Sequence, residues 1–312
     1  MTNFSETIQL APGIYVQASS QNFRLHRLLP WDNAPGPETL AELGETTVTR
    51  QLMAGAFYAG LPPRWSDVEI TEQLAPSLLR HIYSLATSYP TTHATPPTMR
   101  RVAERLAAAG KQAAATHCLQ VAKEESGHDT LALLDLEALG LPAQDFVTRL
   151  HPKTSLALVE LFAGYADSEQ PIAVLGYAYA LERAALFVTE ASINAIEQLI
   201  PVGINATRCL RVHSSVGSDA GHVAESIAFI ATLPPQDRAT IVRAVYQTIC
   251  LQNTSASDYP GDEAMQSLLD EFGWVGWTGF DQAYLFTLVI LLTPTLSSRR
   301  GSKLPKLFDA RS

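Results

Sequence analysis

After residue 36 the apolar positions of this chain recur at the spacing of helix faces. Leu40, Leu43 and Thr47 open an amphipathic run that continues to about Tyr58. Leu74, Leu78, Leu79, Ile82 and Leu85 repeat the pattern on a second stripe. The Pro/Thr-rich segment Tyr89–Pro97 (YPTTHATPP) predicts a loop. From Thr98 an Ala/Leu-rich run reaches Leu139, with a break at Gly110 and a stop at Gly140–Pro142. Further helices are predicted over 153–167, 171–199, 205–232, 236–253 and 281–293. Pro152, Pro171, Pro201, Pro234 and Pro235 punctuate them, and Asp145 and Thr154 are placed as caps or first-turn residues. Only Gly13–Val16 reads as a strand. The chain has no GxGxxG, no GxxxxGK[ST] and no alternation of strands with helices, so an α/β nucleotide-binding fold is excluded. The expectation is all-α. It has an N-terminal extension over 1–35, one helical bundle domain over 36–296 and a mobile basic tail over 297–312 (SSRRGSKLPKLFDARS).

Composition narrows the class. The 312 residues carry 22 Lys and Arg against 31 Asp and Glu, a formal charge of −9, with 46% apolar and 17% charged residues. So apolar a chain is not disordered. An acidic balance argues against nucleic acid, because phosphate contacts need a basic surface. Cys118, Cys209 and Cys250 are too few and too far apart for a disulfide framework and point to a reducing compartment. The N-terminus lacks the basic and apolar regions of a signal peptide. Ala283–Leu292 is too short to cross ~30 Å of hydrocarbon and reads as a core helix. A cytoplasmic protein without a membrane partner is expected. The low charged fraction also suggests that some acids lie inside.

The chemistry concentrates in His117–Gly140 (HCLQVAKEESGHDTLALLDLEALG). Glu125 and His128 form Glu-x-x-His, which on one helix face presents a carboxylate beside an imidazole, as bundles that hold two metal ions do. Glu124 competes, because at about 100° per residue it lies about 40° from His128 while Glu125 lies about 60° away. His117 shares that face. The plain alternative is a solvated acidic surface. Asp219 and His222 form a second pair, Asp-x-x-His, preceded by His213; its plain alternative is a capping Asp with a surface histidine. Glu182 lies in PIAVLGYAYALERAALFV, a helix apolar on most faces, where a carboxylate must be paired, hydrogen-bonded or metal-bound. A distant Arg is the alternative partner, since Arg183 points about 100° away. His81 reads as a packed histidine, His93 as a loop residue and His151 as a turn residue. Phe272, Trp274, Trp277 and Phe280 read as a capping loop.

Taken in order, EESGHDTLALLDLEALG, then Gly176, Tyr177 and Glu182 as GY-x-x-x-x-E, then an acid-x-x-His helix, resemble the haem-oxygenase-like diiron oxidases. These are often called iron-containing redox enzymes, and they share a fold with thiaminase-like and pyrroloquinoline-quinone-synthase-like proteins. The resemblance covers about residues 98–253. It implies a haem-oxygenase-like bundle of about seven core helices and two Fe(II) ions per chain. Its ligands would be Glu125, His128, Glu182, Asp219, His222 and His213, with Glu124 as the alternative to Glu125. It further implies O2-dependent oxidation of a small amine, amino-acid or fatty-acid-like substrate in natural-product biosynthesis, and it leaves a homodimer open. This chain departs from the family's His-x-x-x-Asp-x-x-His at one point: four residues before Asp219 stands Ser215, and His213 is displaced by two. On a regular helix His213 would point about 160° from the expected direction, whereas a break at Gly217 would return it. Three other readings stand beside this one. They are a metal-free hydrolase or cofactorless oxidase of the same fold, a non-catalytic small-molecule-binding bundle, and a ferritin-like carboxylate protein that would have to recruit Glu104.

Overall fold

The computed structural model describes residues 4–27, 39–40, 47–61, 76–254, 258–274 and 276. The chain divides into two units, Met1–Trp274 and Val275–Ser312, and the account below concerns the first. The helix expected at 281–293, the tail over 297–312, Trp277 and Phe280 lie outside the described residues.

The N-terminal extension is not the near-featureless segment its sequence suggests. Strands β1 (Glu6–Ala11), β2 (Ile14–Ala18), β3 (Phe23–Arg27) and β4 (Thr39–Leu40) form an antiparallel sheet in chain order. Thr7 and Gln9 are exposed while Ile8 and Leu10 are buried, the period-2 alternation of a half-buried strand. That alternation lasts only six residues, too few to stand out beside the helical runs. The buried face, with Val16, Ala18 and Phe23, joins the main core.

Leu40 pairs with Phe23 in the sheet and does not begin a helix. Helix α1 (Val48–Gly60) starts where Thr47 Oγ1 accepts the Arg50 N–H. The segment Tyr89–Pro97, expected as a loop, lies inside α2 (Leu78–Ala108), a helix of 31 residues that contains Pro90, Pro96 and Pro97. Each proline removes one ladder donor, a cost of ~3 kcal/mol in an isolated helix. Packing along three later helices supports α2 despite this: α3 (Gln112–Glu124), α4 (His128–Ala138) and α6 (Lys153–Asp167). The Thr and Ser hydroxyls also bond back to carbonyls of α2 itself, so they do not compete for its ladder from outside.

Several expected long helices are broken. The run after Thr98 breaks at Gly110, as read, and again at Glu125–Gly127, which was not expected. The span 171–199 becomes a 3₁₀ turn (Pro171–Ala173), α7 (Val174–Ala185) and α8 (Glu190–Glu197), where Thr189 and Ser192 form a capping box. The span 205–232 becomes α9 (Arg208–Val212) and α10 (Asp219–Ala231). Helix α11 (Pro235–Gln252) follows closely the span read from sequence. Two short helices, α5 (Ala143–Leu150) and α12 (Asp262–Glu271), escaped the sequence reading. Phe272 packs edge-on against Phe146, and Trp274 Nε1 donates to the Leu139 carbonyl, so this part of the aromatic cluster does cap the bundle.

One apolar core runs through α1, α2, α3, α6, α7, α10 and α11. These seven helices make the bundle, and the sheet lies against α1 and α11 as an extra segment. No single helix among the described residues is long and apolar enough to cross a membrane.

Candidate metal centre

Glu125 and His128 do not share a helix. Glu125 caps the C-terminus of α3, Gly127 takes φ +93°, and His128 is the first residue of α4. The left-handed glycine turns the chain tightly enough for the pair to meet, with His128 Nδ1 2.9 Å from Glu125 Oε2. Glu125 is 7% exposed. Glu124 points along the rim, where it accepts from Gln120 Nε2 and stands 3.9 Å from His222 Nε2. Glu125 is the buried one of the two and faces the other candidate ligands.

The displaced histidine is returned by a break. His213 caps α9 with φ −93° and ψ 73°, and α10 begins only at Asp219. The intervening loop is pinned by the Val188 carbonyl, which accepts from the Ser215 N–H at 2.9 Å and the Ser215 hydroxyl at 3.0 Å. It also folds back on itself so closely that a Cβ on Gly217 would lie 2.0 Å from the Val212 carbonyl oxygen. His213 Nδ1 consequently lies 3.3 Å from Asp219 Oδ2, and its ring meets that of His128 edge-on with centroids 4.9 Å apart. His222, one turn into α10, holds Nδ1 4.0 Å from Asp219 Oδ1.

Glu182 comes from α7, whose residues from Val174 to Ala180 are all buried. It is 9% exposed, and its Oε2 has no hydrogen-bond partner among the described residues. Arg183 turns away, as expected, and lies over the rings of Phe57 and Phe187.

The electrostatics divide the carboxylates. Burial pushes the Glu182 carboxyl well above its usual range, and the negative charges of Glu125, Asp219, Glu124 and Glu225 add to the shift. Burial acts on Glu125 in the same direction, but the His128 hydrogen bond and the neighbouring imidazoles outweigh it and hold that carboxyl below its usual range. Burial lowers His213, yet its hydrogen bond to Asp219 and the charges of Asp219 and Glu125 raise it overall. Among the candidate ligands, His213 Nε2, Asp219 Oδ1 and His222 Nδ1 are likewise buried without a partner among the described residues. Four unpartnered donor atoms converging in one place are costly without an occupant.

Two sets of donors come within 4.8 Å of one another: Glu125 with His128 and His213, and Glu125 with Glu182 and His222. They share Glu125. Carboxylate oxygens mixed with imidazole nitrogens suit iron, manganese or zinc. The donor chemistry therefore fits metal in either group, with Asp219 beside both His213 and His222.

The other histidines stand apart. His117 stacks on Phe229 at 4.2 Å, and burial lowers it against the pull of Glu124 and Glu225. His81 Nε2 bonds the Ala206 carbonyl, and His93, on α2 and not in a loop, pairs with Asp129. Next to Glu125, Glu182, His213 and Asp219 opens a cavity of about 320 Å³. Two contributors were not singled out from sequence. One is Asp135, one of two acids in the DLEALG stretch. The other is the hydroxyl face of α2, hidden by reading that segment as a loop.

Residues 83–253 match the sequence profile of the iron-containing redox enzymes. No curated protein matches the chain significantly. A TenA homologue from Pseudomonas syringae pv. tomato superposes with a TM-score of 0.53 at 15% identity, over 67% of this chain and 90% of that one, and so shares the fold. A domain of unknown function with a haem oxygenase-like fold, from Shewanella denitrificans, gives a TM-score of 0.49 at 19% identity, over 72% of this chain and 91% of that one.

Proposed function

The chain belongs to the iron-containing redox enzyme family, and from that premise we propose that it is a non-haem diiron oxidase that uses O2 on a small organic substrate in biosynthesis. The observation that carries this reading is the pair of donor sets sharing Glu125, with unpartnered buried atoms on Glu182, His213, Asp219 and His222. Glu125 would sit between two ions. His128 and His213, with Asp219, would hold one, and Glu182 and His222 the other. Two ferrous ions held there would supply the electrons and open coordination positions that O2 activation requires.

The protein's own groups prepare the site. Glu182, held neutral without a cation, would release its proton as it becomes a ligand, so metal uptake is coupled to proton release. The His128 hydrogen bond keeps Glu125 ionised and oriented. Leu85, Val121, Ala178 and Leu181 line the cavity beside these groups and would give a bound substrate an apolar wall.

A metal-free hydrolase or cofactorless oxidase of the same fold would draw on the acid–imidazole contacts Glu125–His128 and Asp219–His213. The hydrolase form lacks a thiol nucleophile here: Cys209 lines the cavity, but burial, with the charges of Asp135, Asp219 and Glu125, pushes its thiol up to about 12. Anaerobic titration of the metal-free protein with Fe(II), followed by admission of O2, separates the readings. Two irons per chain and a transient visible absorption band are expected. Absence of iron uptake would return the site to the metal-free alternative or to a simple binding protein.

A further inference from the structure

The cavity beside the donor sets is bounded on one side by α2, and beyond Leu85 its wall there carries hydroxyls. Ser88, Thr91, Thr92 and Thr95 all line it. At about 100° per residue these four fall within an arc of about 100° on one helix face. Every one of them has spent its proton on the helix backbone. Ser88 donates to the Ser84 carbonyl at 2.9 Å, Thr91 to Ser88 at 2.9 Å, Thr92 to Ser88 at 3.0 Å and Thr95 to Thr91 at 2.8 Å. A hydroxyl carries one proton and two lone pairs, so these oxygens present only acceptors to the cavity.

The carboxyl groups of the lining add acceptors. Three carboxyl groups, of Glu125, Glu182 and Asp219, line the cavity with the imidazole of His213 and the amide of Gln252, and no Lys or Arg lines it among the described residues. A substrate carboxylate lying along α2 would meet lone pairs and no Lys or Arg, and an alkyl chain would strip water from the hydroxyls without replacing its hydrogen bonds. An ammonium brings three donors and a positive charge. One independent feature marks the cavity as a polar ligand site. Tyr177 lines it, is 1% exposed, and has a hydroxyl with no partner among the described residues.

We propose that the substrate carries an amine nitrogen on the part that lies along α2, and that the hydroxyl face of Ser88, Thr91, Thr92 and Thr95 selects it. This inference rests on the cavity being the substrate site of the proposed diiron enzyme.

The test measures binding of hexylamine, hexan-1-ol and hexanoate by calorimetry, to metal-free protein and to protein incubated anaerobically with Fe(II). Wild type and Thr91→Val/Thr95→Val are compared, with Thr92→Ser as a variant that keeps its hydroxyl. The wild type should bind hexylamine at least tenfold more tightly than the other two. The double variant should lose that preference, while Thr92→Ser should keep it. An ammonium drawn only to the carboxylates would ignore Thr91 and Thr95, so an unchanged double variant overturns the proposal. Hexanoate or hexan-1-ol binding as tightly as the amine overturns it too. Should the double variant misfold by circular dichroism, Thr91→Ala and Thr95→Ala singly must each weaken the amine several-fold. Iron counted in the same samples keeps the two readings apart. Amine selectivity without iron uptake refutes the diiron reading alone, and iron uptake without amine selectivity refutes this one alone.

Discussion

Asp135, on the helix that begins with His128, accepts the backbone N–H of Cys209, on the helix that ends at His213, at 2.9 Å. Its other oxygen takes Arg208 Nη1 at 2.9 Å, and Asp135 itself is 0% exposed. One buried carboxylate thus ties together the two short helices whose ends carry an imidazole each.

Asp135→Leu should therefore cost stability and misplace an iron ligand together. Breaking a fully buried pair costs ~3–5 kcal/mol, and a value nearer 2–3 kcal/mol is expected here because part of Arg208 remains in water. Denaturant unfolding measures the first effect, and iron stoichiometry falling from two towards one measures the second. Asp135→Asn, which keeps the shape and an acceptor for Cys209, should restore most of the iron. A leucine variant as stable and as iron-replete as wild type would remove Asp135 from this role.

Gly217 offers a cleaner perturbation of His213. A methyl there would meet the Val212 carbonyl oxygen at 2.0 Å and the Arg211 carbonyl oxygen at 2.3 Å, so the loop must shift. Gly217→Ala should lower stability by about 1–3 kcal/mol and selectively lose the ion between His128 and His213. Gly221→Ala is the matched control, since nothing lies within 4 Å of its added methyl and it sits inside α10. That change should hold both irons and raise stability by up to ~1 kcal/mol. Identical iron counts in the two variants would mean that His213 is not a ligand.

What could be read from the sequence follows from how local each feature is. Glu125 with His128 and Asp219 with His222 stood out as acid-x-x-His pairs, and Glu182 because a carboxylate in an apolar helix needs a partner; the fold does gather them. Which of Glu124 and Glu125 faces inward was undecidable from an ideal helix, because α3 ends between Glu125 and His128 and the turn at Gly127 sets the direction. His213 was suspect for the same reason: residue counting assumes a continuous helix, and the loop at 213–218 is held by Val188, a contact from another segment. Helix α2 was misread because three prolines and several threonines outweigh helical periodicity locally. Long-range packing along α3, α4 and α6 reverses that balance.

Glu182→Gln should separate stability from metal binding. In the metal-free protein burial and four neighbouring acids favour the neutral carboxyl. Because its folded value lies above the usual 4.5, the metal-free protein is most stable below that value and loses stability as pH rises from there towards the folded value. Glutamine mimics the neutral acid, so the variant should match or exceed wild type at pH 7 without metal and show a flatter pH dependence. It should take up at least one iron fewer. A variant less stable than metal-free wild type at pH 7 would mean that the carboxylate already has a partner.

Tyr177→Phe tests another part of the cavity lining. The ring stacks on Phe162 at 4.2 Å, which phenylalanine preserves, while the hydroxyl is buried without a partner among the described residues. Burial raises that hydroxyl above its usual range, so it stays protonated and able to donate. Deleting it removes an unsatisfied group, and the empty protein should be unchanged or more stable by up to ~1–2 kcal/mol. Ligand binding should move the other way, but only for a ligand that offers the phenol an acceptor. Wild type is expected to bind 6-aminohexan-1-ol several-fold more tightly than hexylamine, and Tyr177→Phe should erase that increment while leaving hexylamine affinity and iron stoichiometry alone. If the substitution destabilises the empty protein by more than ~1 kcal/mol, the hydroxyl has a structural partner and is not held in reserve for a ligand.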